Sequence, residues 1–169
     1  MSRLRRLMQN HRIFFVTTHF AKAVLPLQEQ EYGQVLRATD EVRRARSFLL
    51  FAYVVMPTHF HLLLAPADAD SLSNVMREIK LRAARSILAA RKNPGPFWQA
   101  RFFDRILRNR NEWSKTLEYI HWNPVQDGLI RKPADWKWSS WPAWIGVGVP
   151  PIGVDVIDVP IEGKVRLAW

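Results

Sequence analysis

Two histidines, His59 and His61, stand two positions apart in the run YVVMPTHFHLLLA. On an extended strand, residues i and i+2 share a face, so both imidazoles would project together with Cα atoms about 6–7 Å apart. That spacing suits two ligands of one divalent metal, a role for which neutral imidazole is well fitted. An isolated His-x-His also fits a pair of half-exposed strand-end residues. The context favours chemistry, because the pair interrupts an apolar strand directly after a proline turn. In EYIHWNP, Tyr119 and Asn123 are four residues apart, about 40° around a helix, and so lie on one side of it. A phenol acts as a nucleophile only when it is positioned against a polarised electrophile. The amide oxygen of Asn123 could complete a His/His/Asn metal site. Taken singly, each has a plainer reading: a helical tyrosine packed in the core, and an asparagine that stops a helix before Pro124. His121 points about 200° away from Tyr119 by the same arithmetic and is expected to be packed or hydrogen-bonded. His11 and His19 read as surface or strand-end residues.

The elements that must position these groups follow from the apolar pattern. RIFFVTTHF (Arg12 to Phe20) is β-branched and aromatic and predicts a strand. After Pro26 a helix is expected, with Val35, Leu36 and Val42 on its buried stripe and Gly33 as a weak point. FLLFAYVVM (Phe48 to Met56) and HFHLLLA (His59 to Ala65), broken by Pro57-Thr58, predict an antiparallel hairpin. Asp70-Ser71 is placed to cap a helix from Leu72 to Arg91. Phe97 to Arg108 predicts a fourth strand, and a third helix is expected from Asn111 through Trp122, stopping at Asn123-Pro124. The order β-α-β-β-α-β plus a helix predicts an α+β, ferredoxin-like antiparallel sheet with helices on one face and a ligand-accessible face opposite. The third helix then carries the candidate nucleophile. The Trp- and Pro-rich remainder, from Ile130, predicts a wrapped extension with one short strand near Val154 to Val159. A catalytic domain over residues 1–145 and a tail over 146–169 are expected.

Charge narrows the partner. The 169 residues carry 25 Lys plus Arg against 15 Asp plus Glu, a net +10, which points to a polyanion. Between Arg77 and Arg110 ten basic residues face only Glu78 and Asp104, so this segment holds +8 of that excess. Lys80, Arg82, Arg85, Arg101, Arg105 and Arg108 are the candidate nucleic-acid contacts. Phe97, Trp98, Phe102 and Phe103 are interleaved with them, as rings that either stack on unpaired bases or fill the core. With no cysteine, a thiol nucleophile, a disulfide scaffold and a Cys-based zinc finger are excluded. The apolar runs are far short of the roughly 20 residues that span a bilayer, and the basic N-terminus lacks a following apolar stretch. A cytoplasmic, nucleoid-associated protein without membrane partners is expected.

Together these motifs resemble a known family. YVVMPTHFHLLL resembles the histidine-hydrophobe-histidine (HUH) signature of single-strand DNA transposases with one catalytic tyrosine. WQARFFDRILR, then EYIHWNPVQDGLI, then DWKWSSW, in that order, resemble specifically the REP-associated tyrosine transposases, the branch linked to repetitive extragenic palindromes. The likeness runs from about Ile13 to Trp144 and departs at Gln126-Asp127, where the family pattern has Arg-Ala. It implies His59, His61 and Asn123 as metal ligands, Tyr119 as nucleophile and Mg2+ or Mn2+ as cofactor. It also implies a 5′-phosphotyrosine intermediate and, as partner, single-stranded DNA beside an imperfect REP-type hairpin, bound by a monomer or homodimer. Three alternatives are weaker. An HUH nickase of the initiator or relaxase kind is disfavoured by the short chain and the missing P-loop. A non-catalytic single-strand DNA- or RNA-binding regulatory domain with the same sheet is disfavoured by the missing RNP1 pattern. An inactive relic is disfavoured because every expected catalytic residue type is present.

Overall fold

The structure is a computed structural model that describes residues 4, 12–67, 70–91 and 95–157. The elements are β1 (Phe14–His19), α1 (Glu29–Arg46), β2 (Leu49–Val55), β3 (His59–Ala65), α2 (Leu72–Arg91), β4 (Phe103–Ile106) and α3 (Arg110–Gln126). A 3-10 turn (Pro133–Asp135) and a short helix α4 (Trp141–Ile145) follow. All strand pairs are antiparallel and the order across the sheet is β2-β3-β1-β4. This is the ferredoxin-like, α+β arrangement expected from the element order.

Local chemistry sets the boundaries. The Met56 N–H donates to the His59 carbonyl at 2.8 Å, closing the β2–β3 turn around Pro57 and Thr58. Helix α1 starts on a capping box: the Gln28 N–H donates to the Glu31 carboxylate at 2.7 Å, satisfying a backbone donor at the helix start. Helix α2 starts as expected, with the Asn74 N–H donating to Ser71 Oγ at 3.2 Å. Asn109 caps α3, its Oδ1 accepting from the Glu112 N–H at 3.0 Å.

Period-two alternation divides the sheet into two faces. Val16, Phe60, Leu62 and Leu64 pack beneath α1 and α2 with Val35, Val75, Ile79 and Ile87. Ile13, Phe15, Val54 and Leu63 point the other way and pack with Trp113 and Ile120 of α3. A bulge between Leu50 and Ala52 puts both Phe51 and Ala52 on the α3 side. Helix α3, the helix expected in addition to the two on the first face, packs on the second face over β2 and β3.

Two element boundaries also differ from expectation. The fourth strand spans only Phe103–Ile106. Phe97 is 3% exposed and Trp98 bridges Phe20, with the Ala21 N–H donating to Phe97 at 2.9 Å and the Gln99 N–H to His19 at 3.0 Å. The pairing with β1 then shifts register before Phe103 meets Thr17, which cuts the strand short. Helix α3 runs through Asn123 and Pro124 to Gln126. Proline removes one intrahelical donor, toward Ile120, but leaves later bonds intact: the Asp127 N–H still donates to the Asn123 carbonyl at 3.0 Å. The helix then ends in a Schellman motif. Gly128 (φ 71°) donates to Val125 and Leu129 to Pro124, a left-handed position where glycine avoids the Cβ clash.

The Trp-rich extension seals the free edge of β2. The Val55 N–H donates to Trp138 and the Ser140 N–H to Tyr53, each at 3.0 Å. The Trp136 and Trp144 indoles donate to the Val55 and Phe51 carbonyls. Of the short strand expected from Val154 to Val159, Val154–Ile157 contain no strand, although the Asp155 N–H donates to Leu50 at 2.7 Å. Residues beyond Ile157 lie outside those described. Ile157 is 4% exposed and joins the α3-side core, so the tail expected from residue 146 packs onto the same body at that point.

Candidate active site

Antiparallel pairing decides what His59 and His61 face. On β3 they sit opposite His19 and Thr17 of β1, on the face covered by α3. His61 is 2% exposed. Its Nδ1 shares a hydrogen bond of 2.9 Å with Thr17 Oγ1, while its Nε2 is buried with no hydrogen-bond partner. His59 shares a 3.2 Å contact with Thr58 Oγ1 through Nδ1, and its Nε2 lies 3.3 Å from Asn123 Oδ1. The two rings are 4.8 Å apart, centre to centre. At His61 the Thr17 hydroxyl occupies Nδ1, so with the proton there Nε2 keeps its lone pair toward the site. At His59, Nε2 is the donor to Asn123 Oδ1, since an amide oxygen only accepts.

Helix α3 supplies the other half. Asn123 is 4% exposed, whereas Tyr119, one turn earlier, is 41% exposed. The Tyr119 ring stands edge-on to His61 at 5.4 Å and to Phe15 at 5.8 Å. Beside it runs an open groove of about 410 Å³, lined by Lys115, Glu118, Tyr119, Trp122 and Gln126. His121 turns away, as its helical phase predicts, and pairs with Ser140 Oγ at 2.8 Å against the Trp141 ring.

Electrostatics keep the imidazoles neutral. Burial pushes His61 down to about 3, with the nearby His59 and His19 adding to the shift. Burial and then His19 also lower His59, against the opposing pull of Asn123 and Asp127. A neutral imidazole with a free Nε2 is the form that binds a metal. The unpartnered Nε2 of His61, the Nε2 of His59 once its proton has moved to Nδ1, and the Asn123 amide oxygen make a donor set that fits a divalent cation. Among the described residues no group of three or more His, Cys, Asp and Glu is placed to hold a metal.

The candidate DNA contacts separate into two places. Lys80, Arg82 and Arg85 lie on α2, beneath the opposite face of the sheet. Lys80 Nζ donates to the Gln99 carbonyl at 2.8 Å, and Arg82 is paired with Glu78 and Glu41. Arg101, Arg105 and Arg108 are exposed on and beside β4, the edge strand on the site's side. Arg105 donates to Thr116 Oγ1 of α3 at 3.0 Å, and its guanidinium lies 6.0 Å from the Phe15 ring centre.

Sequence reasoning missed Thr17; His19 is exposed at the end of β1, the strand-end position expected of it. His19 lies beside His59 with ring centres 5.1 Å apart, stacked at 25°, and Thr17 fixes His61. The alternation VTTH puts both on one face of β1, but only the β1–β3 register brings that face to the histidine pair.

A sheet that presents two strand histidines beneath a helical tyrosine and asparagine defines a class that comparison with known proteins identifies. The chain belongs to the IS200-like transposases, whose family model matches residues 7–123, and within them to the REP-associated tyrosine transposases, DNA-cleaving enzymes by class. It is 30% identical over 153 residues, 90% of each chain, to the REP-associated tyrosine transposase of Escherichia coli (strain K12). It is 25% identical over 150 residues to a putative REP-associated tyrosine transposase of Haemophilus influenzae, covering 79% of this chain and 85% of the relative. A solved structure of a REP-associated tyrosine transposase bound to a REP hairpin superposes with a TM-score of 0.71 at 27% identity, over 88% of this chain and 89% of that one. A putative transposase from Deinococcus radiodurans shares the fold, with a TM-score of 0.51 at 16% identity over 65% of this chain and 88% of that one. Among the described residues no helix is long and apolar enough to cross a membrane.

Proposed function

We propose that this transposase cuts and rejoins single-stranded DNA beside REP-type hairpins, with Tyr119 as the nucleophile. The reading is carried by one observation: the Nε2 atoms of His59 and His61 and the Oδ1 of Asn123 gather on one side of the sheet, beneath the exposed Tyr119 ring. Mg2+ or Mn2+ held by those three residues would supply Lewis-acid polarisation of the scissile phosphate. Thr17 and Thr58 orient the two imidazoles, and burial keeps them unprotonated. The Tyr119 oxygen attacks phosphorus as the bond to the 3′-oxygen breaks. The phenol gives up its proton, the leaving 3′-oxygen takes one up, and a 5′-phosphotyrosine remains. One phosphodiester replaces another, so attack by a second 3′-hydroxyl reverses the step without ATP. The similarity to a protein solved on a REP hairpin supports the hairpin as partner.

The test is cleavage of a REP-type hairpin carrying an unpaired flank, with Mg2+ and with EDTA. Cleavage in the flank that needs the metal is expected. Equal cutting in EDTA contradicts the metal's role, and equal cutting of the fully paired duplex contradicts the single-strand reading.

A further inference from the structure

We infer that Phe103 is the stacking platform for an unpaired base lying close to the phosphate attacked by Tyr119. The inference rests on the single-strand reading of the site and assigns the place of one base within it.

The four aromatic residues between Phe97 and Phe103 have different fates. Phe97 is 3% exposed against Phe20. Trp98 packs on Phe20 and Phe60 and donates its indole N–H to the Lys80 carbonyl. Phe102 is half-buried against the core under α1 and α2. Phe103 alone of the four is open, at 58% exposure. One exposed ring is ordinary in itself; its register is what distinguishes it. Thr17 pairs with His61 on one side and with Phe103 on the other, so the three form a single row across the same face. Two interstrand spacings separate His61 from Phe103, about 10 Å. A strand held at the exposed Tyr119, at the His61 end of that row, and running toward the sheet edge reaches the Phe103 ring at its other end.

The surroundings suit a phosphodiester chain. Arg105 follows on the same face of β4, held by Thr116, and Arg101 and Arg108 are exposed at the two ends of the strand. The acids beside β4 are Asp104, which alternates to the other face, and Glu112, whose carboxylate accepts from the Arg108 N–H. Glu118 lies in the Tyr119 groove, together with Lys115. Cationic groups around an open ring make a platform for a base, and only an unpaired base offers its face to it.

The experiment is abasic scanning in metal-free buffer. The probe is a fluorescent REP-type hairpin with an unpaired flank, and one abasic site at a time is placed along the flank. In the wild-type protein one position near the cut should weaken binding by roughly 5- to 150-fold, the range of a single base–aromatic stack. Phe103→Ala and Phe103→Leu should bind the intact probe more weakly by a similar factor and lose the penalty at that position, while Phe103→Trp keeps it. Both substitutions are at an exposed ring, and Phe103→Leu retains apolar bulk, so a folding defect is separable from loss of stacking. The inference is overturned if the abasic penalty is the same in Phe103→Ala as in wild type, if no flank position is sensitive, or if Phe103→Ala changes only self-association. Failure of the wild-type protein to bind the unpaired flank at all would instead overturn the single-strand reading, and this inference with it.

Discussion

At the scale of single residues, the site separates a reactive group from its supports. Tyr119 is 41% exposed while His61 and Asn123 are 2% and 4% exposed. Tyr119→Phe removes one oxygen from an open ring and should change stability by less than about 0.5 kcal/mol. Binding of the hairpin should survive and cleavage should vanish, which melting curves and a cleavage gel check together. His61→Ala should lower Mn2+ affinity in calorimetric titration, because it removes one of about three protein ligands. The buried histidines also make stability depend on pH. His61 and His121 are both held down to about 3 by burial, so the unfolded chain binds their protons from about 6.5 downward while the folded chain does not. Stability should therefore fall as pH drops from about 6.5 toward 3. His121→Gln should make that fall shallower by up to about one proton's worth, about 1.4 kcal/mol per pH unit. An unchanged slope in chemical-denaturation curves would contradict the buried, neutral state of His121. Spacing within single elements placed the His59/His61 and Tyr119/Asn123 pairs on common faces, while the family resemblance, not the spacing, suggested their roles. The part played by Thr17 was not legible, because its contact with His61 depends on cross-strand register.

At the scale of elements, α1 and α2 are tied by an ion pair that no periodicity reveals. Arg91, at the end of α2, donates to both carboxylate oxygens of Glu31 at 2.6 Å and to the Leu25 and Pro26 carbonyls at 3.0 Å. Burial alone would raise the Glu31 carboxyl; the hydrogen bonds from Arg91 and the Gln28 N–H outweigh it and hold the group below its usual range. Its stabilisation is present above the unfolded carboxyl value, about 4.3, and is lost as pH falls through the lower folded value. Arg91→Ala leaves a buried carboxylate without its cation and should cost about 3 kcal/mol. Adding Glu31→Gln to that variant should recover part of the loss, and an additive double mutant would contradict the coupling. Ser71 as cap and the span of α2 were readable because capping is local. The short β4 and the continuation of α3 through Pro124 were not. Phe97 to Gln99 pair with the end of β1 out of register with Phe103–Ile106, a break that no local pattern marks, and a proline in the last turn removes a single bond.

At the scale of the whole molecule, the net charge of +10 reads correctly as a partner signal but not as a map. The basic run from Arg77 to Arg110 is divided between α2, where Arg82 is neutralised by Glu78 and Glu41, and the β4 edge beside the site. Binding of the hairpin's unpaired flank should fall steeply with salt; if about six phosphates are contacted, log K against log salt should have a slope near −4. Arg105→Ala with Arg108→Ala should make that slope shallower, and Arg82→Ala with Arg85→Ala should affect it less. The reverse order would place the DNA against α2. The central claim is that His59, His61 and Asn123 serve a covalent step at Tyr119. Its most direct test is to trap the protein on the hairpin substrate with Mg2+, digest the SDS-resistant complex and locate the attached nucleotide by mass spectrometry. The account predicts a 5′-phosphate ester on Tyr119, absent when the metal is chelated. Nucleotide on any other residue, or cleavage without a covalent adduct, would contradict it.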